Sequence, residues 1–349
     1  MKEPLIIGSH KVGEGYPCYL IAEMSANHAG DVDRAIKIIQ AAKKSGADCI
    51  KIQTYTPDTL TIDCDKEYFQ ISKGTWNGEN LYTLYQKAYT PWEWQERLKA
   101  EAEKVGLDFL STPFDKTAVD FLESIGVDFY KIASFELVDI PLIKYIASKQ
   151  KPIIMSTGMG TLGEIEEAVN TVLAQGNKKL CLLKCSSAYP AVPDDMNLRT
   201  IQNLKNTFNV AVGLSDHSLG VIGAVTAVAM GANVIEKHFC ISREIENPDA
   251  FFSMEPQEFK NMVEDIRTAE KAMGKVSYHL SEREKNSRLL RKSIFVVKAV
   301  KKGEVFTEKN LRVIRPGYGL EPKRYEEILG KTATQDIEEG TPLGWGLIK

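Results

Sequence analysis

Short apolar runs recur along the chain, each ending in polar residues and followed by a stretch whose apolar positions repeat at helical spacing. The runs are Cys18–Met24, Asp48–Ile52, Leu107–Leu110, Asp128–Ile132, Pro152–Met155, Leu180–Leu183, Val210–Leu214 and Asn233–Ile235. Strands that alternate with amphipathic helices form parallel βαβ units. Eight such units in about 250 residues predict an α/β fold of the (β/α)8 TIM-barrel type. The alternative, an open doubly wound sheet, ordinarily carries a glycine-rich phosphate turn after its first strand, and the first run here ends in Glu23-Met24-Ser25 instead.

Several helices are legible. Asp31 to Ser45 places Ala35, Ile38, Ile39 and Ala42 on one face and Lys37, Lys43 and Lys44 on the other. Thr90-Pro91 predicts a helix with proline at its first position. Thr161-Leu162-Gly163-Glu164 reads as a capping box opening a helix to Ala174. Two connections are long. Thr54 to Tyr89 is 36 residues and rich in aromatics (Tyr55, Tyr68, Phe69, Trp76, Tyr82, Tyr85), which argues for order. Phe239 to Met254 carries Arg243, Glu246, Asn247, Asp249 and Phe251-Phe252. Both leave the carboxyl end of the barrel, where such folds keep their sites.

The rhythm stops near Gly274. The boundaries expected are a barrel domain at 1–280, a charged linker with a helix at 281–292, and a small β-rich domain at 293–349. The last has strands near Ile294–Val297 and Leu311–Ile314 and a short helix near Tyr325–Leu329. So few residues bury little surface, so this domain is expected to lean on a neighbour.

Composition narrows the partners. With 44 Lys plus Arg against 47 Asp plus Glu, the net charge of −3 gives no basic excess for nucleic acid or an anionic membrane surface. No apolar run reaches the ~18 residues of a membrane span, and the first 16 residues lack the apolar core of a signal peptide. The six cysteines have no framework spacing. Cys181 and Cys185, four strand steps apart, lie ~13 Å from each other. Reduced thiols in the cytoplasm are the expectation.

Candidate chemistry gathers at the strand ends. They carry Glu23, Ser25, Asn27 and His28; Lys51 and Gln53; Ser111 and Thr112; Lys131, Ser134 and Glu136; Ser156 and Thr157; Lys184, Ser186, Ser187 and Tyr189; Ser215 and His217; and Glu236, Lys237 and His238. Charges within apolar strands are costly unless paired or used. Lys51, Lys131 and Lys184 with the hydroxyls of Thr112, Ser134, Ser156, Ser187 and Ser215 make a donor-rich bowl suited to a phosphate and a carboxylate. His217 and His238 fall at matched positions on consecutive strands ~4.8 Å apart. Two imidazoles there suit one divalent metal with positions left for water and substrate. Glu23, Glu136 and Glu236 are the candidate general acids and bases.

These residues stand in recognisable wording. Ala22-Glu23-Met24-Ser25-Ala26-Asn27-His28, Lys51-Ile52-Gln53-Thr54-Tyr55, Lys131-Ile132-Ala133-Ser134-Phe135-Glu136, Lys184-Cys185-Ser186-Ser187-Ala188-Tyr189-Pro190, Gly213-Leu214-Ser215-Asp216-His217-Ser218 and Ile235-Glu236-Lys237-His238 resemble the sialic acid synthase family. Arg291-Lys292-Ser293-Ile294, Lys302-Gly303-Glu304 and Ile314-Arg315-Pro316-Gly317 resemble that family's antifreeze-like (SAF) domain. The segments Ser25 to Gly30, Lys51 to Thr61 and Gly74-Thr75-Trp76 are most similar to its pseudaminic acid branch. The resemblance implies condensation of phosphoenolpyruvate with an acetamido-sugar aldehyde, releasing phosphate by C–O cleavage. It implies Mn2+ or Mg2+ on His217 and His238, and Lys51, Thr112, Lys131, Ser134, Ser156, Ser187 and Ser215 around phosphoenolpyruvate with Gln53 nearby. Lys184 joins this binding set. Glu23, Glu136, Tyr189 and Asp249 then address the sugar. Arg315 reaches it from a second subunit, so a domain-swapped homodimer is expected. The competing readings are an N-acetylneuraminate or legionaminate synthase of the same mechanism, a Schiff-base aldolase using Lys131 or Lys184, and a non-catalytic sugar-binding protein.

Overall fold

A computed structural model describes residues 3–349, so the first two residues of the expected 1–280 domain lie outside it. The chain divides into two compact units, Met1–Gly274 and Lys275–Lys349. Among the described residues no helix is long and apolar enough to cross a membrane.

In the first unit, each of the eight apolar runs falls on one strand, and six of the strands continue past the end of the run into the polar residues. β1 (Leu5–Ile7) and β2 (His10–Val12) form an antiparallel hairpin ahead of them. β3 (Tyr19–Glu23), β4 (Cys49–Thr54), β5 (Asp108–Pro113), β6 (Tyr130–Ile132), β7 (Ile153–Ser156), β8 (Leu180–Cys185), β9 (Ala211–Asp216) and β10 (Val234–His238) follow. β3 to β10 are parallel and close into a barrel, β10 pairing with β3. Alternation along each strand sorts the side chains. Tyr19, Ile21, Leu110, Ile154, Cys181, Leu183 and Val234 fill the interior. Leu20, Ala22, Ile50, Ile52, Leu182, Val212 and Ile235 pack outward on the helices.

The hairpin was not foreseen from the sequence. Its Leu5, Ile7 and Val12 join the interior cluster and plug the floor of the barrel. Burying each such side chain is worth roughly 1.5–3 kcal/mol. The turn is clasped by Asp108 at the start of β5, whose carboxylate accepts from Ser9 N–H (3.3 Å) and Tyr19 O–H (2.7 Å) and pairs with His10 Nδ1 (2.8 Å). Gly8 sits in the left-handed region (φ 54°) with that carboxylate where a Cβ would be, so only glycine fits.

The expected helices form. Val32–Lys44 is capped by Asp31, which accepts from Asp33 and Arg34 N–H. Leu162–Ala174 opens on the reciprocal Thr161–Glu164 capping box. Trp92–Val105 differs in detail: Pro91 is the N-cap and not the first helical residue. The connection after β4 is ordered by the short helices Pro57–Leu60 and Leu81–Ala88.

In the second unit β11 (Ser293–Val296) pairs antiparallel with β12 (Leu311–Ile314). Ile294, Val296, Val300, Phe306, Leu311, Ile328, Ala333, Ile337 and Leu343 form its own small core. The charged helix Glu282–Arg288 precedes it, with residues 275–292 exposed throughout.

Candidate functional site

Parallel register brings the strand-end polar residues level around one cavity at the carboxyl end of the barrel. Glu23 lies beside Lys51 and His238, and Ser215 beside Glu236 and Cys185. The cavity is walled by Glu23, Lys51, Gln53, Thr112, Lys131, Ser134, Ser156, Tyr189, Ser215, His217, Glu236 and His238, with Phe114, Phe135 and Cys185.

Its floor is an ion cluster. Lys51 Nζ is 2.7 Å from Glu236 Oε1 and 3.4 Å from Glu23 Oε2. Lys131 Nζ is 3.9 Å from Glu236 and donates to Ser156 Oγ (2.6 Å) and Ile132 O (2.9 Å). Ser215 O–H donates to Glu236 Oε1 (3.1 Å), and Gln53 Nε2 to Glu23 Oε1 (2.9 Å). Burial disfavours every charge here, and the neighbours decide which survive. Despite burial, Lys131 and Lys51 hold Glu236 down at about 2. Burial wins at Glu23, whose carboxyl rises to about 7 against the pull of Lys51. Burial lowers Lys131 to about 8, while Glu23 and Glu236 keep Lys51 above the ordinary lysine value despite its burial. Two ammonium groups thus face two carboxylates, of which only Glu236 is held firmly in its charged form.

Beside the floor is a hydroxyl cradle. Gly158 N–H donates to Ser134 Oγ at 3.0 Å. A Cβ on Gly158 would overlap Ser187 Oγ and lie 2.7 Å from Ser134 Oγ. Several buried polar atoms of the lining have no hydrogen-bond partner among the described residues: Glu23 Oε2, Glu236 Oε2, Thr112 Oγ1 and His238 Nδ1. Leaving such an atom unpaired costs about 1–3 kcal/mol. Their convergence marks a place that a polar ligand completes.

The two histidines meet as expected, ring centroids 5.5 Å apart. His217 Nδ1 is 3.1 Å from Ser186 O, which leaves Nε2 for a ligand. His238 Nδ1 is buried and unpartnered, 3.9 Å from Asp249 Oδ2. Burial holds His238 well below the usual imidazole value, so it is neutral, the form that ligates metals. Burial opposes charge on His217, but Cys185 beside it holds that imidazole above its usual value, so a divalent cation on the pair would displace its proton. Among the described residues no set of three or more His, Cys, Asp or Glu side chains converges on one point, so solvent and substrate would complete its coordination.

Other expected residues fall around this centre. The Tyr189 ring lies 4.2 Å from that of His217. Asp249 accepts from Ala26 N–H (3.3 Å), and burial raises its carboxyl. Glu136 is outside the lining, and burial raises it to about 7. Lys184 is not part of the bowl: it has the opposite parity to Cys185 and donates to Cys185 O (2.8 Å). Lys237 likewise turns away, pairing with Asp216 Oδ2 (2.7 Å) in a buried ion pair outside the lining. Arg315 belongs to the second unit, where it is exposed.

Two cavity residues went unrecognised in the sequence. Cys185 Sγ stands 3.7 Å from Ser187 Oγ and 3.8 Å from His217 Nδ1. Counting by twos from interior Cys181 and Leu183 reaches it. Gly158 carried no sequence signal, because its role is the space it leaves.

Three comparisons bear on this geometry. A pseudaminic acid synthase of Campylobacter jejuni is 48% identical over 93% of this chain and 95% of its own. An N,N'-diacetyllegionaminic acid synthase of the same species is 42% identical over 92% and 97%. The crystal structure of N-acetylneuraminic acid (sialic acid) synthetase from Leptospira borgpetersenii in complex with citrate superposes with a TM-score of 0.73 at 30% identity, covering 82% of this chain and 96% of that one. The NeuB family model matches residues 38–278 and the SAF domain model residues 291–349. With an eight-stranded barrel, matched histidines and a lysine-bearing floor in place, this chain belongs to the NeuB family.

Proposed function

We propose that this chain condenses phosphoenolpyruvate with the open-chain aldehyde of 2,4-diacetamido-2,4,6-trideoxy-β-L-altropyranose, giving pseudaminate and phosphate. The observation that carries the reading is the paired Lys51–Lys131 floor with its hydroxyl cradle, set directly beside two histidines. A phosphate and a carboxylate on one small molecule need that combination of donors. The similarity to the Campylobacter pseudaminic acid synthase selects the branch. The Tyr189 ring, which lines the cavity and is backed by Phe252 and Trp76, supports an acceptor with an apolar C6 methyl.

Lys51, Lys131, Thr112 and Ser215 hold the carboxylate end of phosphoenolpyruvate, and Ser134, Ser156 and Ser187 the phosphate. The enol carbon C3 attacks the aldehyde carbon, water adds at C2, and the C2–O bond to phosphate breaks. A divalent cation, Mn2+ or Mg2+, on His217 and His238 supplies Lewis acidity toward the aldehyde oxygen. Glu23 and Glu136, both lifted to about 7, can give or take the protons that this sequence moves. Asp249 and Tyr189 face the sugar. Arg315 reaches it from a second copy, in a swapped homodimer working in the cytoplasm.

The direct test is phosphate release from phosphoenolpyruvate with Mn2+, comparing the trideoxy sugar with N-acetylmannosamine. Release with the trideoxy sugar alone is expected. Release with N-acetylmannosamine alone would keep the mechanism and overturn the acceptor. Borohydride with pyruvate is expected to leave the protein mass unchanged, because Lys131 serves as a cation and not as a Schiff-base nucleophile.

A second expectation concerns Gly158. Gly158→Ala should leave the fold intact and weaken phosphoenolpyruvate binding by about ten- to a hundredfold, the worth of displaced charge-assisted bonds. Calorimetry with phosphoenolpyruvate checks it; an unchanged affinity would remove the cradle from the phosphate site.

A further inference from the structure

The connection after β4 carries a hairpin, residues 70–80, that closes on itself. Gln70 pairs with Asn80, Ile71 N–H donates to Glu79 O (2.9 Å), and Gly78 N–H to Ile71 O (2.8 Å). Among the described residues, two hydrogen bonds join this hairpin to the other connections at the top of the barrel. Thr75 O–H donates to Tyr189 O (2.6 Å), in the connection after β8. Trp76 Nε1–H donates to Pro248 O (3.1 Å), in the connection after β10. The hairpin thus bridges the two segments that bear Tyr189 and Asp249.

The geometry of Trp76 is specific. Its only donor is used on Pro248, so it offers Tyr189 a ring: the centroids are 5.5 Å apart and the planes tilted by 46°. Tyr189 in turn lies 4.2 Å from His217 and 5.3 Å from Phe252, which is 4.7 Å from His238. Tyr189 lines the cavity, whereas Trp76 does not. Trp76 therefore meets His217 through the Tyr189 ring, and its bond to Pro248 ties it to the connection that bears Asp249.

We propose that Trp76 is a positioning residue for the acceptor sugar, acting through Tyr189. By bridging the connections after β8 and β10, it fixes the Tyr189 ring over the paired histidines and sets the wall against which the sugar's C–H face packs. This rests on the reading of the cavity as a site for phosphoenolpyruvate and an acetamido-sugar. The floor residues Lys51, Lys131, Ser134 and Ser156 make no hydrogen bond to the hairpin. The effect accordingly belongs to the sugar and spares phosphoenolpyruvate.

The test uses the full chain with Trp76→Ala and Trp76→Phe, read by steady-state kinetics and by hydrogen–deuterium exchange. One aromatic contact and one hydrogen bond together correspond to a rise in sugar KM of about ten- to a hundredfold in Trp76→Ala. The KM for phosphoenolpyruvate should stay within about twofold, since no bond to its subsite is lost. Trp76→Phe, which keeps a ring and loses the N–H, should recover part of the sugar KM. Exchange at residues 186–190 should quicken in Trp76→Ala. Equal rises in both KM values, or an unchanged sugar KM, would overturn the proposal. Unchanged exchange at 186–190 would remove the bridge itself. If the wild-type chain turned over no acetamido-sugar, the proposed function would fall, and the exchange measurement would still decide whether Trp76 braces Tyr189.

Discussion

His238→Ala is expected to abolish phosphate release while the chain stays folded. The imidazole is 8% exposed, and its Nδ1 has no hydrogen-bond partner among the described residues. Folding therefore already bears the cost of an uncompensated buried nitrogen, about 1–3 kcal/mol. Alanine removes that cost and loses the packing against Phe252, 4.7 Å away. The two changes oppose each other, so stability should move little. Activity should not be spared. His238 is one of two imidazoles available to a cation, and losing several kcal/mol of Lewis-acid stabilisation corresponds to at least about a hundred- to thousandfold in rate. Phosphate release measures the rate. Mn2+ titration of the substrate-free protein, followed by electron paramagnetic resonance, measures the site without reference to turnover. Near wild-type turnover, or an unchanged Mn2+ affinity, would show that the histidines hold no metal.

Lys131→Met is expected to weaken phosphoenolpyruvate binding and to stabilise the fold. Lys131 is 1% exposed, and burial lowers its ammonium to about 8 despite Glu236. The unfolded chain, with an ordinary lysine near 10.4, binds its proton more tightly, so stability rises with pH between about 8 and 10.4. The charged lysine thus destabilises the fold fully below pH 8, and the penalty vanishes above about 10.4. Methionine, similar in length and uncharged, should gain on the order of 1–3 kcal/mol at pH 7, and Lys51 remains to neutralise Glu236. The same substitution removes one charge-assisted contact to a multiply charged ligand, a loss of about ten- to a hundredfold in affinity. Urea unfolding at pH 7 and pH 10 tests the first half, since the gain should shrink at the higher pH. Calorimetry with phosphoenolpyruvate tests the second. A less stable variant at pH 7 would show that the Ser156 and Ile132 bonds outweigh desolvation. An unchanged affinity would place the ligand away from Lys131.

The barrel was legible because strand and helix periods alternate eight times, and caps such as Asp31 and the Thr161–Glu164 pair are local signals. The matched histidines were legible because two positions of equal parity on consecutive strands must come together. Parity also explains what was misjudged. Lys184 sits one residue from the inward Cys185, and a roll of polar strand ends does not separate the two faces. The neighbours of Cys185, Cys181 and Leu183, are interior residues, and strict counting would have found it. Other features had no local signature. The hairpin of β1 and β2 is three residues a side and owes its place to the interior it fills. Gly158 matters through Ser134 and Ser187, which lie 24 and 29 positions away in sequence. The Trp76 contacts span connections of different strands, and no single window of sequence contains them.

The hairpin at the base also governs traffic. With Leu5, Ile7 and Val12 stoppering the lower end, the barrel is a vessel with a single mouth, and everything that reacts inside must pass the same rim. Under the function proposed above, phosphoenolpyruvate on the Lys51–Lys131 floor and the aldehyde beside the histidines would share that one mouth. A seal far from the chemistry thus leaves the rim as the one place where access to the cavity can be controlled.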